Sequence, residues 1–217
     1  DMPSIIDDAG KLGWSPLTDM AYLEFGPSKL NVVVLGHEKT GIQIQIYERL
    51  TTPLPEGLPD FEPLSRPFNM MQMVRNRDAA YTFYQQTLGF DTFYYGKPYL
   101  SPEPENMPLG IPEELTTSVP YAAGITTPKS GLEWGRMEMI QVMMDGGQDL
   151  AQRCEPGNVG ITEVRFDVDD LTRVRADLND RGADILASPA ERILIMSEAL
   201  LSGNKVPEWK TGPLSKA

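Results

Sequence analysis

The sequence predicts an α+β fold built on a repeated βαβββ unit. Three observations lead there. Strand-like segments alternate apolar and polar residues with a period of two. The order strand, Asn/Asp cap, helix, Gly, strand occurs over 68–90 and again over 161–186. Prolines gather in two stretches, 51–67 and 96–133, that separate the patterned segments.

Residues 1–20 show little periodicity and read as a loosely ordered lead-in. A short strand is expected over 21–25, a turn at Gly26-Pro27-Ser28-Lys29, and a second strand over 30–35 carrying Val32, Val33 and Val34. Over 42–47, Ile42, Ile44 and Ile46 face one way and Gln43, Gln45 and Tyr47 the other. Residues 21–50 are thus a three-stranded antiparallel half-module. The Pro-rich stretch 51–67 is a stiff linker.

Residues 68–150 read as a βαβββ module. A strand over 68–74 leads to Asn76 or Asp78 as cap, then to a helix with Ala80, Phe83, Tyr84 and Leu88 on one face. Gly89 ends the helix and a strand follows over 90–95. The segment 96–133 carries seven prolines and one strand-like stretch, 118–125; a loop of that length is usually functional or disordered. A strong strand spans 134–144.

The segment 160–217 reads as a βα half-module with a tail. In the strand over 160–168, Val164, Phe166 and Val168 oppose Glu163, Arg165 and Asp167. Asp169 or Asp170 caps a helix with the stripe Leu171, Val174 and Leu178; Gly182 ends it, and a strand begins at 183–186.

Composition narrows the function. Lys+Arg number 19 and Asp+Glu 31, a formal net charge of −12. Such a surface repels nucleic acid and anionic lipid. No apolar run approaches the roughly 20 residues of a membrane span. The single cysteine, Cys154, forms no internal disulfide and fits a reducing, cytoplasmic setting. One histidine, His37, limits metal chemistry, while 11 methionines suit an adaptable apolar lining.

Two patches resemble a known family. Arg77-Asp78-Ala79-Ala80-Tyr81-Thr82-Phe83-Tyr84-Gln85-Gln86-Thr87-Leu88-Gly89-Phe90 is similar to the helix signature of the vicinal oxygen chelate superfamily, which takes in glyoxalases, bleomycin-resistance proteins and extradiol dioxygenases. Gly160-Ile161-Thr162-Glu163-Val164-Arg165-Phe166-Asp167-Val168-Asp169-Asp170-Leu171 resembles the strand-into-helix signature of its partner module. The resemblance covers 21–187 and implies paired βαβββ modules whose curled mixed sheets form a cup, a glyoxalase-like fold.

In the superfamily's metalloenzymes the ligands sit on the first and last strands of the modules. By position, the resemblance carries these places to Gln45, Asn69, Gln141 and Glu163. Three are amides and one is a carboxylate, where the family has His and Glu. Amide oxygens bind transition metals weakly. The expectation is therefore no cofactor, with a divalent metal as the alternative.

The candidate catalytic pair is Glu163 for proton transfer and Arg165 to hold a carboxylate or enolate. The plainer reading is a solvated, self-compensating strand face. Gln45, Asn69 and Gln141 could orient a carbonyl or hydroxyl, or could satisfy neighbouring backbone instead. Met71 and Tyr121 could line the pocket, against ordinary core or surface roles. His37, in a turn, is expected to be exposed and without a catalytic role.

The implied function is that of a metal-independent lyase or isomerase acting on a small, largely apolar molecule bearing a carbonyl or carboxylate, with 96–133 as a lid. The first alternative is drug or antibiotic sequestration of the bleomycin-resistance type. The second is a divalent-metal glyoxalase or dioxygenase. The expected partner is a small molecule, with neither nucleic acid nor membrane, and a homodimer remains open.

Overall fold

A computed structural model describes residues 1–54, 60–61, 64–109, 111–132, 134–148, 161, 164–183 and 185. The chain divides into two compact units, Asp1–Asp167 and Val168–Ala217. The first is α+β with two four-stranded sheets, neither closed on itself.

The chain begins with a helix rather than a lead-in. α1 spans Met2–Lys11, and the Asp1 carboxylate caps it by accepting from the Ser4 N–H at 2.9 Å. A ten-residue helix is marginal alone, so packing must hold it. Met2, Ile6 and Ala9 recur at i, i+4 and i+7 and lie against Val33, Leu35, Ile44 and Ile46. Gly13, at φ +89°, then turns the chain into Trp14.

Strands β1 (Trp14–Pro16) and β2 (Ala21–Phe25) lie in tandem along one edge of β3 (Ser28–His37). β4 (Gln43–Arg49) pairs antiparallel with the other edge of β3. The three strands expected over 21–47 are present, and β1 extends the sheet into the stretch read as lead-in. In the Pro-rich linker, β5 (Asp60–Phe61) and β6 (Leu64–Ser65) form a small hairpin.

The next segment is a βαβββ unit, as expected. β7 (Asn69–Met73) leads to α2 (Arg77–Thr82), then to β8 (Asp91–Tyr95), β9 (Tyr121–Thr127) and β10 (Arg136–Val142). The sheet order is β7-β10-β9-β8, with β7 parallel to β10 and the other pairs antiparallel. Asn76 caps α2 by accepting from the Ala79 N–H at 2.9 Å. One wider turn continues the helix over Phe83–Thr87, where the Leu88 N–H reaches the Phe83 carbonyl five residues back at 3.2 Å. That turn rotates the stripe: Ala80, Tyr81 and Tyr84 pack inward on Met137 and Met139, and Phe83 is 47% exposed.

The two sheets share a plan. Leu12-Gly13-Trp14 after α1 mirrors Leu88-Gly89-Phe90 after α2, and both glycines have positive φ. Each helix start is also held from the last strand of its own sheet. The Met2 N–H donates to Glu48 Oε1 at 3.3 Å, and the Arg77 N–H donates to Gln141 Oε1 at 3.0 Å.

In the second unit, α3 (Leu171–Asp180) forms where predicted, with Asp170 accepting from the Arg173 N–H at 2.9 Å. The strand predicted over 160–168 does not form at Ile161 or over 164–168, the described part of it. Alternation supplies a strand pattern but no neighbour to pair with. Val164, Phe166 and Val168 are 36%, 37% and 45% exposed, and Phe166 instead sets its ring edge-on to Phe90 at 5.2 Å. The strand expected over 183–186 does not form at Ala183 or Ile185, and residue 184 and the tail from 186 lie outside the described residues.

Candidate functional site

Each sheet has one face against its helix and one facing away from it, the open face, on which Val32, Val34 and Ile140 are nonetheless buried; alternation assigns the side chains. In the first sheet, Ile44 and Ile46 pack toward α1, so Gln43, Gln45, Tyr47 and Arg49 take the open face with Val32 and Val34. In the second, Met137 and Met139 pack toward α2, so Arg136, Glu138, Ile140 and Val142 take the open face. The register adds Asn69 and Met71 from β7, with Tyr121, Ala123 and Ile125 from β9.

Glu138 is the centre of this face. It is a half-buried carboxyl in a strand otherwise dominated by apolar side chains. Asn69 Nδ2 donates to Glu138 Oε2 at 2.5 Å. Burial pushes the Glu138 carboxyl above the usual carboxylate range, and the Asn69 hydrogen bond offsets this in part. The Oδ1 of Asn69 is itself buried and accepts no hydrogen bond among the described residues. A buried acceptor of this kind suits a ligand hydroxyl or N–H.

The first sheet reaches this centre through β4. The Tyr47 ring lies 5.8 Å from that of Phe68, just before Asn69. Tyr47 Oη donates to Gln45 Oε1 at 2.8 Å, and Gln45 Nε2 donates to the Pro108 carbonyl at 3.2 Å. Burial, reinforced by the Glu138 charge, drives the Tyr47 phenol far upward. It remains a proton donor throughout the physiological range.

The long segment after β8 crosses to the first sheet. Besides the Gln45 contact, Asn106 Nδ2 donates to the Asp19 carbonyl at 3.0 Å. Met107 and Ile111 on this segment are buried, as are Val32 and Val34 on the open face of the first sheet. The second sheet's open face keeps Tyr94, Tyr99 and Met73 accessible.

The expected site residues therefore separate. Gln45, Asn69, Met71 and Tyr121 lie on the open faces. Gln141 does not: it points to the helix side and holds the start of α2. Arg165 is exposed and outside any strand, and Glu163 lies outside the described residues. His37 stacks on Trp14 at 5.1 Å and bonds Thr40 at 3.0 Å, consistent with a structural role.

Sequence reasoning missed Glu138 and Tyr47. The signal for Glu138 was one charge between Met137 and Met139. Equating Glu48 with Gln141, both holding helix starts, also sets Gln45 against Glu138 at the same spacing of three residues. A scan against family models returns no match, and no curated protein matches the chain.

Proposed function

We propose that the protein acts on a small, largely apolar molecule bearing a carbonyl or carboxylate, as a metal-independent lyase or isomerase of vicinal oxygen chelate type. The two sheets then correspond to paired modules around a common cup. The observation that carries this reading is Glu138, a desolvated carboxyl held by Asn69 on an open sheet face. A carboxyl with a raised pKa is matched to proton transfer nearer neutrality than an exposed one. It takes the part that the resemblance suggested for Glu163.

The chemistry follows from the neighbours. Glu138 removes a proton from the carbon beside the ligand carbonyl, and the electron pair moves to the carbonyl oxygen. The second Nδ2–H of Asn69 is a donor for that developing charge, while Tyr47 and Gln45 already donate to Gln45 Oε1 and the Pro108 carbonyl and hold the site's shape. The donor set contains one carboxylate, two amides and a phenol, but no imidazole. That is a poor match to the divalent metals of the superfamily.

Exchange of hydrogen for deuterium beside the carbonyl, across a panel of small ketones and keto acids, tests the reading by NMR. Glu138→Gln should reduce catalysed exchange by about 10²- to 10⁴-fold with the fold retained. Exchange by the variant at the parent rate would sink the assignment. The sequestration reading has one observation in its favour. The Tyr47 phenol keeps its proton and cannot serve as a second base. It predicts tight ligand binding with no exchange in parent or variant.

A further inference from the structure

The open face of the second sheet is ordered in cross-strand rows. Arg136 and Asn69 make one row, and the Arg136 guanidinium stacks at 3.7 Å on the ring of Phe93, which lies at the bulge of β8. The next row is Tyr94, Ile125, Glu138 and Met71. Ala123 and the buried Ile140 make the next row, and Tyr121 with Val142 the one after it. Tyr99 bridges to Tyr121 through paired backbone bonds of 2.8 and 2.9 Å, and their rings meet at 5.7 Å and 68°. The Tyr94 ring folds back over Gly96, leaving Ala123 between the tyrosines. Tyr94 and Tyr99 are 51% and 41% exposed.

The first row already holds a cation on an aromatic face. The rows above it have three tyrosines and a carboxylate but contain no Lys or Arg. Glu138 stands one row from Ala123 and two from Tyr121 on the same face, so a carboxylate lies beside the tyrosines. Burial, then the neighbouring Tyr99, pushes the Tyr121 phenol up to about 12, so the ring stays neutral. Neutral tyrosine faces beside carboxylates bind organic cations through cation–π attraction and charge. The chain's net charge of −12 draws cations toward the surface.

We propose that the recess formed by Tyr94, Tyr99 and Tyr121 over Ala123 binds an ammonium group. Resting on the reading of Glu138 above, this makes the substrate class an amine-bearing carbonyl compound. The amine sits among the tyrosines and the carbonyl toward Glu138 and Asn69.

Calorimetry on the full chain with 2-phenylethylamine, 2-phenylethanol and phenylacetate tests it. The amine should bind about tenfold more tightly than the alcohol, and the acid should be weakest. Tyr121→Leu should remove the amine's advantage, while Tyr121→Phe, which keeps the ring face, should retain it. An amine no better than the alcohol would overturn the proposal. So would an amine preference that survives Tyr121→Leu, which would put the cation elsewhere on the acidic surface. Catalysed exchange on an uncharged ketone, lost in Glu138→Gln, reports on the underlying reading separately. Its survival alongside a failed amine preference would reject the subsite alone.

Discussion

Replacing Met2 by Ala should destabilise the first unit by about 2–3 kcal/mol. Met2 is 1% exposed and packs with Val33 and Leu35 under α1. The change deletes roughly three methylene-sized groups, worth about 0.8 kcal/mol each on transfer from water. A cavity adds to this, within the ~2–5 kcal/mol seen for buried Met→Ala changes. The lower half applies because Met2 opens the helix and the first turn can settle into the gap. The slightly better helix propensity of Ala returns only a few tenths of a kcal/mol. Urea unfolding followed by fluorescence is a suitable assay, since Trp14 leaves α1 directly into β1. Lys11→Ala is the control: Lys11 is exposed and pairs with exposed Asp8, so it should shift stability by less than about 0.5 kcal/mol. If Met2→Ala also stays within about 0.5 kcal/mol of the parent, α1 is not packed as described and the reasoning fails.

Asn76→Ala removes the cap of α2 and should lower stability by about 1 kcal/mol, read from the urea midpoint. Gly124→Ala would set a Cβ 2.7 Å from the Tyr81 ring and 3.0 Å from Arg77 Cδ, and should lose about 1–3 kcal/mol in the same assay. The pH dependence of stability should carry the mark of Glu138. Burial raises its folded-state pKa above the ordinary 4.5, so its contribution is fully present below that value and is lost as pH rises through the raised one. Melting of parent and Glu138→Gln between about pH 4 and pH 8 should show the parent falling relative to the variant, by about 1.4 kcal/mol per unit of pKa difference. Parallel curves would mean that the carboxyl is not desolvated.

Legibility in the sequence followed the strength of the local pattern. β2, β3 and β4 were readable because alternation and turn residues agree there. α1 was hidden because Asp7, Asp8 and Gly10 dilute a stripe of only three packed residues, Met2, Ile6 and Ala9. Its signature lay in Leu12-Gly13-Trp14, which is recognisable once Leu88-Gly89-Phe90 is set beside it. The site was half readable for a reason of parity. Asn69 and Gln45 fell on the open faces, but choosing Gln141 on β10 selected the wrong side. Positions three apart on a strand face opposite ways, and only the seat of α2 on Met137 and Met139 decides which way is open. The absence of a strand over 164–168 shows the converse. The alternation there was clear, but pairing depends on a free edge that periodicity does not reveal.

The crossing of the long segment bears on how the chain reaches its final state. The bonds from Asn106 to Asp19 and from Gln45 to Pro108 join residues 87 and 63 apart in the chain. The β3–β4 and β9–β10 ladders join residues much nearer one another. Loop-closure entropy places short-range pairings early and long-range ones late. Refolding should therefore pass through a species with both ladders formed and the segment not yet docked. In that species Met107 and Ile111, buried in the folded chain, present bare apolar surface, so losses during renaturation should rise with protein concentration and fall when docking is fast.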